Sequence, residues 1–315
     1  MALGLSAFAN CTARLHLNRS VEAFAHVLRD WDDSCGGGLR WAQNNPYKNA
    51  ITNELLLASA AKLFLLTRND SYLEWATKEW RWFEGSGLIN GDFLVNDGLL
   101  SNCANNGGAT WTYNQGVVLS GLGWLSSATG NSTLQSLALR LAYATMTQLV
   151  DEAAAPPTLQ EPCEAAFTSG APLPFSKSQG LAGVVGRGAG GEDDCNTDGK
   201  SFKGIWMRHA AYLLVSLGAV PLALEDQAVA GRLQDFITTN SDAVWTRARS
   251  ETSNECGLVW NGPYEDDTDG DGALLQASAM GCLNAAATVA ELLRVERRIS
   301  QESRSLEARS SFSKH

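Results

Sequence analysis

The sequence predicts an all-α fold, an α/α toroid of the six-hairpin type, (α/α)6, with helices missing from the ring. Three observations carry that expectation. Apolar residues recur at helical spacing through most of the chain. No stretch alternates polar and apolar residues convincingly enough for a strand. Short helix-to-helix tips, Arg68 to Ser71 and Gly130 to Thr133, alternate with longer Gly/Asn-rich loops, which gathers the long loops at one end of the ring.

In chain order, the helical segments fall at about 1–10, 13–30, 53–68, 71–85, 114–128, 132–151, 202–217, 223–245 and 274–296. These nine segments are fewer than the twelve that a closed six-hairpin ring requires. Leu55, Leu56, Ala60, Leu63 and Phe64 make a wide apolar stripe, with small Ser59 beside it for close helix packing. Asp70 is placed to cap the next helix, and Gly85 and Gly87 to stop it. Gly130 ends a later helix and Ser132 is placed to cap its successor. Residues 166–191, rich in Gly, Ser and Pro, read as a flexible surface insertion. From Arg294 onward Arg, Glu and Ser alternate with little apolar content, as in a frayed helix. The expected domain is therefore 1–293, followed by a charged, disordered tail at 294–315.

A net charge of −10 argues against nucleic acid and against an anionic membrane surface, since both require basic patches. Ten Trp in an acidic helical chain correlate with carbohydrate-active proteins. The seven Cys (11, 35, 103, 163, 195, 256 and 282) form no C-x-x-C pair, and the four His form no H-E-x-x-H, so no metal site is expected. Sequons begin at Asn10, Asn18, Asn69 and Asn131, and with scattered Cys they favour an oxidising, secreted context. The odd Cys leaves one thiol free. No apolar run approaches the ~20 residues that span a bilayer. Met1 to Ala9 is apolar and ends in Ala7-Phe8-Ala9, yet it lacks a basic start and is too short for an export signal.

The most informative stretch is Gly107-Gly-Ala-Thr-Trp-Thr-Tyr-Asn-Gln-Gly116, a Gly-flanked turn that opens a helix. Trp111 and Tyr113 offer flat apolar faces, while Asn114 and Gln115 offer paired donors and acceptors. That combination suits a sugar, whose C–H faces stack on rings and whose hydroxyls need directional partners. Ordinary core packing is the competing reading. In Trp31-Asp-Asp-Ser-Cys-Gly-Gly-Gly-Leu-Arg-Trp41 the adjacent Asp32 and Asp33 could form an acid/base pair, or cap a turn before the glycines. Tyr47-Lys48-Asn49 follows, and Asn96-Asp97-Gly98 reads as a turn with Asp97 free to bind hydroxyls. Cys163 and Cys195 are placed to form a disulfide at the base of the insertion. Lys203, in a first helical turn, needs a partner such as Glu161, Glu164 or Asp198. Asp194-x-Asn196-x-Asp198-Gly199 and Asp267-x-Asp269-x-Asp271-Gly272 imitate half a calcium loop. Ile205 and Ser278 stand where the bidentate Glu belongs, so solvated turns are the better reading.

In this order, Cys35-Gly-Gly-Gly, Tyr47-Lys-Asn-Ala-Ile, Asn96-Asp-Gly-Leu, Trp111-Thr-Tyr-Asn-Gln-Gly, Glu161-Pro-Cys-Glu and Phe202-Lys-Gly-Ile resemble glycoside hydrolase family 76. These are the endo-α-1,6-mannanases of bacteria and fungi, and the Tyr-Lys-Asn and Tyr-Asn-Gln-Gly blocks look like the fungal branch. The resemblance covers about 30–285. It implies an (α/α)6 barrel, a sugar groove across the loop-rich end and retaining hydrolysis of α-1,6-mannan.

In the family, two adjacent Asp precede a Trp-Trp-Ala-Leu helix, of which Met1-Ala2-Leu3-Gly4 matches the remainder. The catalytic pair is therefore expected before Met1, none is assigned within 1–315, and the missing helices and export signal share that explanation. Asp32 and Asp33, the fallback, match an acidic turn one helix further on. The long Cys163–Cys195 spacing is a second departure from the family pattern. The substrate-binding set implied by the resemblance is Trp41, Tyr47, Asn49, Asp97, Trp111, Tyr113, Asn114, Gln115, Glu164 and Lys203. Cys35 is expected to reach Cys103, as Cys163 reaches Cys195. The resemblance further implies a secreted or wall-associated monomer that binds mannan without cofactor, metal, nucleic acid or membrane span. The tail lacks the apolar end that a lipid-anchor signal needs. The alternatives are a non-catalytic mannan-binding relative and a helical scaffold with no sugar site.

Overall fold

Apolar residues at helical spacing, stopped by Asn, Gly and Pro, give eight α-helices among the described residues. The computed structural model describes residues 2–152, 154–164, 195, 197–265 and 270–312, with side chains for those from 13 to 302. The helices are α1 (Ala2–Val27), α2 (Ala50–Thr67), α3 (Asp70–Gly85), α4 (Thr112–Thr129), α5 (Ser132–Gln148), α6 (Phe202–Ser216), α7 (Leu224–Thr246) and α8 (Gly272–Phe312). One short antiparallel ladder, β1 (Val150–Asp151) with β2 (Thr158–Leu159), pairs Val150 with Leu159.

These helices make an α/α toroidal arrangement. The helices α2, α4, α6 and α8 touch in succession as an inner wall, and α3, α5 and α7 pack behind them. Small residues allow the inner helices to approach closely. A Cβ on Gly116 of α4 would lie 2.5 Å from the Cα of Trp206 on α6. The core between the layers holds fully buried Leu57, Phe83, Leu119, Leu122, Leu139 and Trp206, each worth about 1.5–3 kcal/mol in removed apolar surface. At the N-terminal side, Leu17, Val21 and Phe24 dock α1 on this core, with Phe24 edge-on to Tyr72 at 5.2 Å.

Several boundaries depart from expectation. The segments at 1–10 and 13–30 are one continuous α1, so eight helices replace nine. The frayed helix expected after Arg294 is the end of α8, which runs to Phe312, and its exposed stretch carries Glu291–Arg294 and Arg298–Glu302 pairs one turn apart. Asn69 and Asn131, not Asp70 and Ser132, are the N-caps, each accepting a backbone N–H two residues on. Within the α2 stripe Leu56, Ala60 and Leu63 are buried while Leu55 is exposed. Two helices, α2 and Gly272–Glu302 of α8, are long and apolar enough, by length and composition, to cross a membrane. Both are inner-wall helices, and half of α2's window is buried. The expected insertion at 166–191 lies outside the described residues, as do Asp194, Asn196, Asp267 and Asp269 of the acidic turns.

Candidate functional site

Every inner helix begins, and every outer helix of the pairs ends, at the same pole, so the long loops converge there. The loop after α1 is held by buried Lys48. Its ammonium donates to Asp32 Oδ1 at 2.8 Å and to the Gly38 carbonyl at 2.5 Å, while Arg40 and the Ser34 N–H also serve Asp32. Burial raises the pKa of Asp32, but the bonds from Lys48, Ser34 and Arg40 outweigh it and hold the carboxyl far below the usual range. Gly37 and Gly38 are required here. Both adopt left-handed φ (138° and 87°), and their Cβ atoms would strike Trp31 at 2.7 Å and Trp82 at 2.6 Å. Inside α2, Asn53 brackets the loop through the N–H and carbonyl of Leu39.

The next loop is fixed by amides. Gln115 accepts from Val95 N–H at 2.7 Å and donates to Val95 and Trp111 carbonyls, so both of its ends are taken by backbone. Asn96 donates to the Gly108 carbonyl at 2.7 Å. The expected Cys35–Cys103 disulfide forms and joins this loop to the first.

Between the two loops, Tyr47 donates to Asp97 Oδ2 at 2.5 Å and accepts from Asn106 Nδ2 at 2.9 Å. Burial raises the Asp97 pKa against the bond from Tyr47. Burial likewise raises both phenols, Tyr47 and Tyr113, and the nearby Asp97 charge adds to each. Asn114 is fully buried beside the Asp97 carboxyl, without a bond of hydrogen-bond geometry. Asn49 precedes α2, its side-chain oxygen buried and without a hydrogen-bond partner among the described residues.

At the start of α4, Tyr113 lies flat on Phe202 and Trp111 meets the same ring edge-on at 5.8 Å. Both are half-buried. Below them Glu161 accepts from the Thr112 hydroxyl and N–H at the helix N-terminus. Burial pushes Glu161 up to about 8, Thr112 opposes the rise, and the neighbouring Glu164 adds to it. Lys203 takes Glu164 as its partner at 2.7 Å, donates to the Leu258 carbonyl, and sits 4.6 Å from the Trp260 ring centre. The expected Cys163–Cys195 disulfide anchors this segment. Cys256 and Cys282 are free and buried, and the side chain of Cys11 lies outside the described residues.

The rim thus unites Tyr47, Asp97, Trp111 and Tyr113, with Asn49 and Asn114 beside them. Trp41 stands apart, 53 % exposed on the first loop. Glu164 and Lys203 form a buried pair, and Asp32 is consumed by Lys48 and Arg40, while Asp33 is exposed and makes no ion pair among the described residues. Sequence reasoning passed over Phe202, Asn106 and Lys48, although all three stand in or beside the motifs. It also passed over Glu54 and Glu79, fully buried carboxyls that make no hydrogen bond among the described residues and whose pKa values burial raises well above normal. A Glu inside the apolar run of α2 was the available signal.

This arrangement of aromatic faces around hydroxyl, amide and carboxyl groups suits a polyhydroxylated ligand. The Glycosyl hydrolase family 76 profile matches residues 8–294. The chain is 30% identical over 264 residues to the mannan endo-1,6-alpha-mannosidase DCW1 of Saccharomyces cerevisiae, covering 80% of this chain and 49% of that protein. It is 30% identical over 270 residues to the Candida glabrata DCW1, covering 81% and 50%. The chain therefore spans about half the length of these relatives. An inactive double-aspartate variant of the Salegentibacter α-1,6-mannanase GH76A, in complex with α-1,6-mannotetrose, superposes with a TM-score of 0.62 at 20% identity, covering 84% of this chain and 67% of that one. Dfg5 of Chaetomium thermophilum, in complex with glucosamine, superposes with a TM-score of 0.61 at 23% identity, covering 82% and 57%. With nearly the whole chain inside the family profile and the family's toroidal fold in place, the chain belongs to glycosyl hydrolase family 76.

Proposed function

We propose that the protein is a glycoside hydrolase acting on α-1,6-mannan with retention, and that residues 1–315 supply the binding rim rather than the nucleophile. The observation that carries this reading is the Tyr47–Asp97–Asn106 network facing the aromatic wall of Trp111, Tyr113 and Phe202. Stacked rings hold the sugar face, and the half-buried Asp97 carboxyl accepts from its hydroxyls. Retaining hydrolysis needs two carboxyl groups ~5 Å apart, one an acid and one a nucleophile. Asp32 is held ionised by two cations, Glu161 caps α4 and Glu164 is paired with Lys203, so none of these is free for such a role. The two disulfides support an oxidising, secreted or wall-associated setting.

The test is titration of residues 1–315 with α-1,6-mannotetraose beside a turnover assay on linear α-1,6-mannan. Binding without turnover supports the reading. Robust turnover abolished by Asp32→Asn or Asp33→Asn would overturn it and make that pair catalytic. A second reading, a mannan-binding relative with no hydrolysis in any longer form, is favoured by the same engagement of the carboxylates.

A further inference from the structure

At the pole opposite the rim, the tips of the first two hairpins are one structure built twice. Thr67 and Thr129 each donate a hydroxyl to the carbonyl four residues back, Leu63 at 2.7 Å and Leu125 at 2.8 Å. Each hydroxyl then accepts the N–H of the Asn two residues on, at 3.3 Å in both tips. The intervening residue is left-handed in both, Arg68 at φ 60° and Gly130 at φ 73°. Asn69 Oδ1 accepts the Ser71 N–H at 3.1 Å, and Asn131 Oδ1 accepts the Thr133 N–H at 3.0 Å and its hydroxyl at 2.8 Å.

Helix capping alone explains only part of this. Asp, Ser or Thr caps a helix about as well as Asn, and a cap sets no demand on the side chain two positions later. Both tips nevertheless read Asn-x-Ser/Thr, as Asn69-Asp70-Ser71 and Asn131-Ser132-Thr133. The caps use Oδ1 alone, so Nδ2 of each Asn makes no hydrogen bond to the described residues, and both Asn are exposed.

We propose that Asn69 and Asn131 are N-glycosylation sites, so that the protein carries its glycans on the pole away from the rim. The step joins Asn Nδ2 to the anomeric carbon of an oligosaccharide supplied on a lipid diphosphate. The C1–O bond to the diphosphate breaks, the lipid diphosphate leaves with the electron pair, and the amide surrenders one proton to a base of the transferase. The opposite pole is compatible with bulky glycans, because these tips close the far ends of α2 and α4, whereas Tyr47, Asp97, Trp111 and Tyr113 stand at or before the ends where those helices begin. The proposal rests on the secretory setting given under the proposed function.

The test translates the full chain behind a cleavable secretory leader in the presence of microsomes, recovers the protease-protected protein, and maps glycans with and without peptide N-glycosidase. The expected result is glycan at both tips. Asn69→Asp and Asn131→Asp each remove one glycan step while keeping a capping oxygen, and Ser71→Ala removes the Asn69 glycan with its cap intact. Protected protein without glycan at either tip, or with glycan only at Asn10 or Asn18, overturns the proposal. Mannan binding by the enzymatically deglycosylated chain is unchanged if the proposal holds, and its loss in every form counts against the proposed function instead.

Discussion

Tyr113 lies flat on Phe202, ring centres 3.9 Å apart and planes within 7°, although 88 residues of sequence separate them. The contact joins the start of α4 to the start of α6, so one aromatic wall is shared by two inner helices. Trp111 braces the same ring from its edge. The wall is pre-formed, so a ligand that stacks there does not have to order it.

Removing this wall is expected to weaken sugar binding. Aromatic contacts of this type contribute ~0.5–1.5 kcal/mol beyond burial, so Trp111→Ala and Phe202→Ala should each weaken α-1,6-mannotetraose binding about tenfold by calorimetry. Tyr113→Phe keeps the ring and should stay within about twofold. Equal affinity for Trp111→Ala and the unaltered chain counts against the rim as the binding surface.

Asp32 and Asp33 should separate cleanly by stability. Asp32→Asn leaves the buried Lys48 ammonium without its carboxylate, and breaking a buried pair costs about 3–5 kcal/mol. Partial exposure of Asp32 places this case at or below the lower end. Asp33 is exposed, and Asp33→Asn should stay within about 0.5 kcal/mol of the parent. Urea denaturation measures both, and equal effects contradict the role given to Asp32.

The three glycines after Cys35 should differ in their tolerance of a methyl group. Gly36→Ala meets nothing within 4 Å and bears only left-handed strain at φ 77°, about 1–2 kcal/mol. Gly37→Ala and Gly38→Ala add collisions with the rings of Trp31 and Trp82 and should lose clearly more. Ranking by thermal midpoint tests this, and a neutral Gly38→Ala contradicts the close approach of Gly38 to Trp82.

Acidity should stabilise the fold. Glu161 has its pKa pushed up to about 8 by burial, and Glu54 and Glu79 are raised in the same direction. A carboxyl raised in the folded state contributes stability that is complete below its unfolded value, near 4.3. That stability is lost as pH rises through the folded value. The thermal midpoint should therefore fall by roughly 5 °C or more between pH 5 and pH 8, with Glu161→Gln flattening part of the slope. A midpoint that rises over this range refutes the assignment.

Much of the chain was legible in the sequence because the deciding interactions are local. Helical spacing located the inner and outer helices, and Gly130 stopped α4 through a left-handed turn. Cysteines standing in converging loops formed the two expected disulfides. Motif order also identified the family. Local pattern misjudged one boundary. The break inside α1 was read from composition, whereas continuous backbone hydrogen bonding carries α1 to Val27.

What only the tertiary structure decided is the use each polar side chain is put to. Sequence lists Gln115, Glu164 and Lys203 as groups able to meet a sugar and Asp32 as a fallback acid/base carboxylate. Buried polar groups must find partners, and the nearest are far along the chain: Lys48 for Asp32, Val95 for Gln115, and Glu164 for Lys203. Tyr47, Asp97, Trp111 and Tyr113 keep their exposed surface because the loops converge around them. Desolvation, which depends on every neighbour at once, sorts these residues, and no spacing rule along a single chain encodes it.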